Sequence, residues 1–230
     1  MPTSRRPAPP LTTKVQPAQQ RATETFERIL DAAAKTLTEV GIERLSTNLV
    51  CERAGLSPPA LYRYFPNKYS LLAELGQRLM QRQNECIDRW VSEEVLAGGV
   101  PAVEAALVGL LLDTFEVTRQ TEGGVWIMRA LRAVPVLEQV RLGSHAQVTE
   151  AQARLLARAL PGARPAELKL VSRIVVELIY ATVEMLFDET LDARRVAAVT
   201  AGMMASHLER LVPRPGDAMW PAAKRSRRRA

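Results

Sequence analysis

Tyr62, Arg63, Tyr64 and Lys68 carry the chemistry this chain offers most plainly. Each tyrosine brings a phenolic hydroxyl able to reach a phosphate oxygen, and Lys68 adds a point charge. That is equipment for gripping a polyanion. Equipment for breaking bonds is missing from the sequence. It holds no paired carboxylate, no nucleophile beside a base and no phosphate-binding loop, so no catalytic residue is predicted. His145 and His207 stand alone, and Cys51 and Cys86 lie far apart on apolar helical positions, where reduced, buried thiols are expected. Neither a metal site nor a cofactor is therefore expected.

The polar side chains sit in AGLSPPALYRYFPNK, Ala54 to Lys68, and its prolines decide how they are held. Ser57 can cap a helix whose first position is Pro58, where a missing N–H costs nothing and the fixed φ is already helical. Pro59 follows at a position whose N–H also lacks a partner inside the helix. The prolines thus stiffen the first turn of a short helix over about 58–64. Pro66 stops it, and Asn67 can cap the next. Upstream, Phe26, Ile29, Leu30, Ala33, Leu37 and Val40 follow helical spacing, and Gly41 stands where a C′ glycine belongs. Ser46 or Thr47 can cap a second helix over 48–54, ended by Gly55. Two helices around a glycine turn, the second with its first turn exposed, make a helix-turn-helix. A helix about 10–12 Å wide fits the major groove of B-DNA. Leu61 and Phe65 are expected to hold the second helix against the first helix of the chain.

The run ILDAAAKTLTEVGIERLSTNLVCERAGLSPPALYRYFPNKYSLL strongly resembles the DNA-binding domain of the tetracycline-repressor (TetR/AcrR) family of bacterial transcription regulators. The match extends over about Thr23 to Leu75. The resemblance implies three N-terminal helices for DNA binding, followed by a variable helical domain for effector binding and homodimerisation. It implies a phosphate contact from Thr47 and base contacts from Asn48 and from Pro58, Pro59 and Ala60. Further phosphate contacts are implied at Ser57, Tyr62, Tyr64 and Lys68. Because Pro58, Pro59 and Ala60 offer no side-chain hydrogen bond, the short helix is expected to read mostly thymine methyls and shape. Direct polar readout then falls to Asn48, Tyr62 and Arg63. Leu49 stands where a polar residue is common.

The remaining chain reads as helix throughout, so the fold class is all-α with about nine helices. The expected organisation is a flexible arm over 1–22, a helix-turn-helix domain over 23–70, a helical effector-binding and dimerisation domain over 71–212, and a basic tail over 213–230. The net charge of +6 is uneven: residues 1–75 carry a surplus of three positive charges, residues 214–230 a surplus of five, and the middle a deficit of two. Basic ends suit a nucleic-acid partner. Arg5, Arg6, Lys14 and Arg21 could form a minor-groove arm, and Lys224–Arg229 could touch nucleic acid nonspecifically. Trp90, Phe115, Trp126, Arg129, Tyr180 and Glu184, with Leu111, Met128 and Phe187, are candidates for an effector cavity. Ile174, Leu178, Ala181 and Met185, then Val196, Val199, Met203 and Leu208, supply apolar stripes for a dimer seam. Ala197, Ala198, Ala201, Gly202 and Ala205 would allow backbones to approach there. No apolar run is long enough to span a membrane and no apolar signal core opens the chain, so a cytoplasmic protein is expected. The sequence thus predicts a homodimeric regulator, a repressor released from an imperfectly palindromic double-stranded operator by a small molecule. An enzyme, or a DNA-binding factor with no small-molecule effector, are the alternatives at this stage.

Overall fold

The computed structural model describes residues 8–15, 20–208 and 211. Arg5, Arg6 and the Lys224–Arg229 run lie outside the described residues. Ten α-helices follow one another, with no strand among the described residues: α1 Gln20–Arg44, α2 Thr47–Ala54, α3 Pro58–Tyr62, α4 Lys68–Trp90, α5 Glu93–Ala97, α6 Gly99–Gln120, α7 Gly124–Ala133, α8 Glu138–Ala159, α9 Pro165–Asp188 and α10 Ala193–Leu208. The sequence reading found nine of these. It missed α5, a single turn capped by the Ser92 hydroxyl and opened by Glu93 and Glu94, with no buried residue to give it a periodic signature. A 3-10 turn over Pro135–Leu137 also precedes α8.

The N-terminal helices form for the local reasons legible in the sequence. Gly41 has φ 74°, a left-handed value that breaks the α-helical run of α1 and leaves one further turn before Arg44. The Ser46 hydroxyl caps α2 by accepting from Leu49 N–H, so Thr47 is not the cap. Gly55, at φ 60°, ends α2 and donates back to the carbonyls of Cys51 and Glu52. Pro58 and Pro59 open α3 at its first two positions. Asn67 caps α4 in a reciprocal box with Ser70.

A five-residue helix has no stability of its own. Packing holds α3: Leu61 and Phe65 are fully buried, and Phe65 stacks on Phe26 of α1 with centroids 4.9 Å apart. Each such burial is worth about 1.5–3 kcal/mol. Helix α4 runs about 34 Å by its rise per residue and packs on α1, α6, α7 and α8. It therefore links the first three helices to the rest. Helix α7 makes a second link, reaching α1 as well as α4, with Trp126 beside Gly41. Cys51 and Cys86 are buried and free, and burial pushes both thiols above their ordinary value.

Helix α10 packs on α6 and α9. Its Ala197, Ala201 and Ala205 are fully buried, so these small residues serve the chain's own core and not the seam expected from the sequence.

Candidate nucleic-acid interface

The turn between α2 and α3 gathers the expected contacts on one surface. Thr47 Oγ1 lies 3.0 Å from Tyr62 Oη, tying the start of α2 to the end of α3. Tyr62 is 39 % exposed, and a ring so open gains little from packing. Asn48, Ser57, Pro58, Pro59 and Arg63 are exposed, and Ala60 is half-buried. The Ser57 hydroxyl is not spent on capping α3 and remains available to an outside acceptor. Leu49 is exposed beside Asn48.

The prolines change what the start of α3 can do. Helix starts usually grip phosphate through free N–H groups. Pro58 and Pro59 have none, and Ala60 N–H is turned to the Ser57 carbonyl at 3.0 Å. The tip of α3 therefore presents two rings and a methyl group, which suits apolar contact with a groove floor. Polar contacts must come from its flanks.

Lys68 supplies one flank. Its ammonium reaches the carbonyls of Leu45 at 3.2 Å and Ile42 at 3.5 Å, so it also ties the start of α4 to the α1–α2 turn. A cation in a first turn opposes the helix dipole, and those carbonyls offset the opposition. Arg53 forms an ion pair with Glu39, which fixes α2 against α1.

Tyr64 departs from the expectation. It is only 4 % exposed, and its ring packs edge-on against Phe26 at 5.8 Å. Three residues beyond Leu61, it shares the inner face of the turn, so packing takes the place of the expected phosphate contact. Its carbonyl instead accepts from Lys14 N–H at 2.8 Å. Asn67 Nδ2 donates to the Pro10 carbonyl at 3.1 Å, and Leu11 packs on the core. Residues 8–15 are thus docked beside α3 and α4, where a free arm was expected. Leu11 was the only hint in the sequence.

The expected effector residues do not come together. Trp90 Nε1 donates to Asp113 at 2.8 Å, and its ring lies flat on Gly109 of α6. Phe115 packs on Phe187, 4.7 Å between centroids. Arg129 covers the Trp126 ring and pairs with Asp188 at 2.6 Å. Leu111 is fully buried core. Of the candidates, Tyr180, Glu184 and Met128 border a common small cavity of about 20 Å³, also lined by Arg141 and His145. There Glu184 pairs with Arg132 at 2.9 Å, and the Tyr180 hydroxyl reaches Asn84 at 3.3 Å. An apolar cavity of about 70 Å³ lies between α4, α6, α8, α9 and α10, and none of the six candidates borders it. Aromatic residues on helix faces had drawn the expectation, but here they pack against separate neighbours.

Comparison with known proteins places this geometry. The family model for bacterial regulatory proteins of the tetR family matches residues 29–75. The chain is 33 % identical over 147 residues to an uncharacterised HTH-type transcriptional regulator of Mycobacterium tuberculosis, covering 63 % of this chain and 72 % of that one. It is 29 % identical over 157 residues to the transcriptional repressor KstR of Rhodococcus jostii, covering 67 % and 69 %. A TetR-family regulator of Streptomyces coelicolor superposes with a TM-score of 0.55 at 26 % identity, covering 82 % of this chain and 99 % of that structure. A putative TetR-family regulator of Syntrophomonas wolfei gives 0.63 at 12 % identity, covering 80 % and 95 %, a likeness of fold alone.

Proposed function

Because the chain belongs to the TetR family of bacterial transcriptional regulators, we propose that it acts in the cytoplasm as a homodimeric repressor. It leaves an imperfectly palindromic operator when a small molecule binds. The observation that carries the DNA-binding half is the joined hydroxyl pair of Thr47 and Tyr62 beside the exposed, proline-capped first turn of α3. Thr47, Ser57, Tyr62 and Lys68 are the phosphate contacts, and they set the register of the protein on the duplex. Asn48 and Arg63 meet base edges, while Pro58, Pro59 and Ala60 meet thymine methyls.

Dimerisation is supported by an unpaired apolar face. Leu170, Ile174 and Leu178 recur every fourth residue on α9 and are 52 %, 49 % and 42 % exposed. Val199 and Met203 on α10 are more exposed still. A second copy laid across α9 and α10 would bury this stripe in a four-helix seam. No helix among the described residues is long and apolar enough to cross a membrane.

Release requires a ligand that prefers one orientation of the first three helices. Helix α4 is the element able to carry that preference, since it belongs to both halves of the molecule. The test is in vitro selection of bound DNA from a random pool, followed by gel shifts. An enriched palindrome bound by two chains is expected. A strictly monomeric protein that ignores every duplex at low salt would sink the proposal.

A further inference from the structure

The apolar cavity between α4, α6, α8, α9 and α10 is lined by Ile87 of α4 and Val91 just beyond its end, Leu107 and Leu110 of α6, and Val176 and Ile179 of α9, among others. A second cavity of about 180 Å³ shares Leu96, Val103, Leu156 and Leu208 with it. The two are adjacent, meeting at those four side chains. The outer end of the second passes Gly99 and Ala159, both exposed, beneath the short helix α5. An ion pair between Arg158 and Glu93, 2.5 Å long, holds α5 to α8 across that end.

No charged side chain lines either cavity; the polar ones are Gln152 and Ser172, both in the inner cavity. Ser172 is 3 % exposed, and its hydroxyl has no hydrogen-bond partner, not even the carbonyl one turn back. An unpaired buried hydroxyl is costly, and such groups are uncommon in folded proteins. In an otherwise hydrocarbon wall it is a coupling point for one polar group.

We propose that these adjacent cavities bind a neutral, elongated, mostly hydrocarbon molecule bearing one hydrogen-bonding group, such as a hydroxyl, at its inner end, where Ser172 Oγ receives it. An ionised end group is excluded there, because no counter-charge faces it and its desolvation would go uncompensated. The proposal rests on the effector reading above and gives that effector a chemical class. Ile87 puts the occupant in contact with α4, the helix that continues into the DNA-binding half.

The test uses the full chain with three probes of equal chain length: 1-decanol, decanoate at pH 8 and decyltrimethylammonium. Binding is followed by calorimetry and by thermal shift, first without DNA. Decanol should bind one molecule per chain, at least tenfold tighter than either ion. Ser172→Ala should raise the melting temperature of the empty protein, because it removes the unpaired hydroxyl. The same change should weaken decanol about tenfold and leave the ions unaffected. Leu107→Trp should fill the space and abolish binding. Equal affinity for decanoate and decanol, no saturable binding of any probe, or decanol binding indifferent to Ser172→Ala would each overturn the proposal. A final arm adds operator DNA. Selective binding of decanol that leaves the DNA complex intact would remove the effector reading while the binding site stands.

Discussion

At the scale of single residues, the Thr47–Tyr62 pair makes the sharpest claim about DNA. Tyr62→Phe removes one hydroxyl and keeps the ring, so the fold should survive. Loss of one hydrogen bond of about 1 kcal/mol corresponds to roughly fivefold weaker binding. The loss should be the same on every sequence, because phosphates carry no sequence information. Asn48→Ala should behave differently. It should shift the preferred base at one position in each half-site by about 1–3 kcal/mol, read by repeating the selection with the variant. The placement of Pro58 and Pro59 in the first turn of α3 was legible in the sequence because turn chemistry is local, whereas the Ser57 hydroxyl, expected to cap α3, makes no capping bond. Tyr64 was not legible, since its burial is decided by Phe26, nearly forty positions away. Nor was His145. It is 1 % exposed, stacked on Tyr180 and 3.0 Å from Glu177, with Arg141 and Arg173 facing the same carboxylate. Burial pushes its imidazole below the ordinary value of 6.5, although Glu177 opposes the shift. Below that value the unfolded chain holds more protons than the folded one, so stability falls as pH falls from about 6.5. Glu177 acts with the same sign at lower pH. Burial alone would raise it, but hydrogen bonds from Arg173 and His145 outweigh burial and hold it below its ordinary value. The melting temperature should therefore drop between pH 7 and pH 5, and His145→Gln should flatten the upper part of that drop.

Among the elements, α4 and its neighbours set how movement could travel. A methyl group at Gly76 would lie 2.6 Å from Leu131 of α7, and one at Gly109 would lie 2.4 Å from the Trp90 ring. The two contacts differ in kind. Leu131 ends in a flexible branch. Trp90 is a rigid plane, held by its bond to Asp113, with nowhere to turn. Gly109→Ala should therefore cost about 1–3 kcal/mol by overpacking, seen as a lower urea midpoint with the slope unchanged. It should leave isolated DNA contacts intact, because α1 to α3 do not touch Trp90's side of α4. Neither glycine declares itself in the sequence: inside a helical pattern a glycine looks like a weak point, and only the neighbouring helix makes it necessary. The long helices were legible from their apolar period, whereas α5 was not, being a single turn whose inward residues, Val95 and Leu96, are only half-buried.

For the whole molecule, the exposed stripe on α9 and α10 and the small α3 tip answer to the same requirement. One five-residue helix offers few contacts. Two of them, fixed about 34–36 Å apart, bind adjacent half-sites and add their free energies. Ile174→Asp combined with Met203→Asp places one charge on each helix of the stripe, at residues 49 % and 71 % exposed that are not part of the buried core. Light scattering should show a single chain, with helical content retained by circular dichroism. On a palindrome the affinity should fall by on the order of a hundredfold, because the second half-site no longer benefits from the effective concentration that the seam provides. On a duplex carrying one half-site, the variant and the parent chain should bind alike. That last comparison separates the seam from the reading surface. If the variant also failed on a single half-site, the stripe would be supporting the α2–α3 geometry itself. If it stayed dimeric, the copies would meet through some other face.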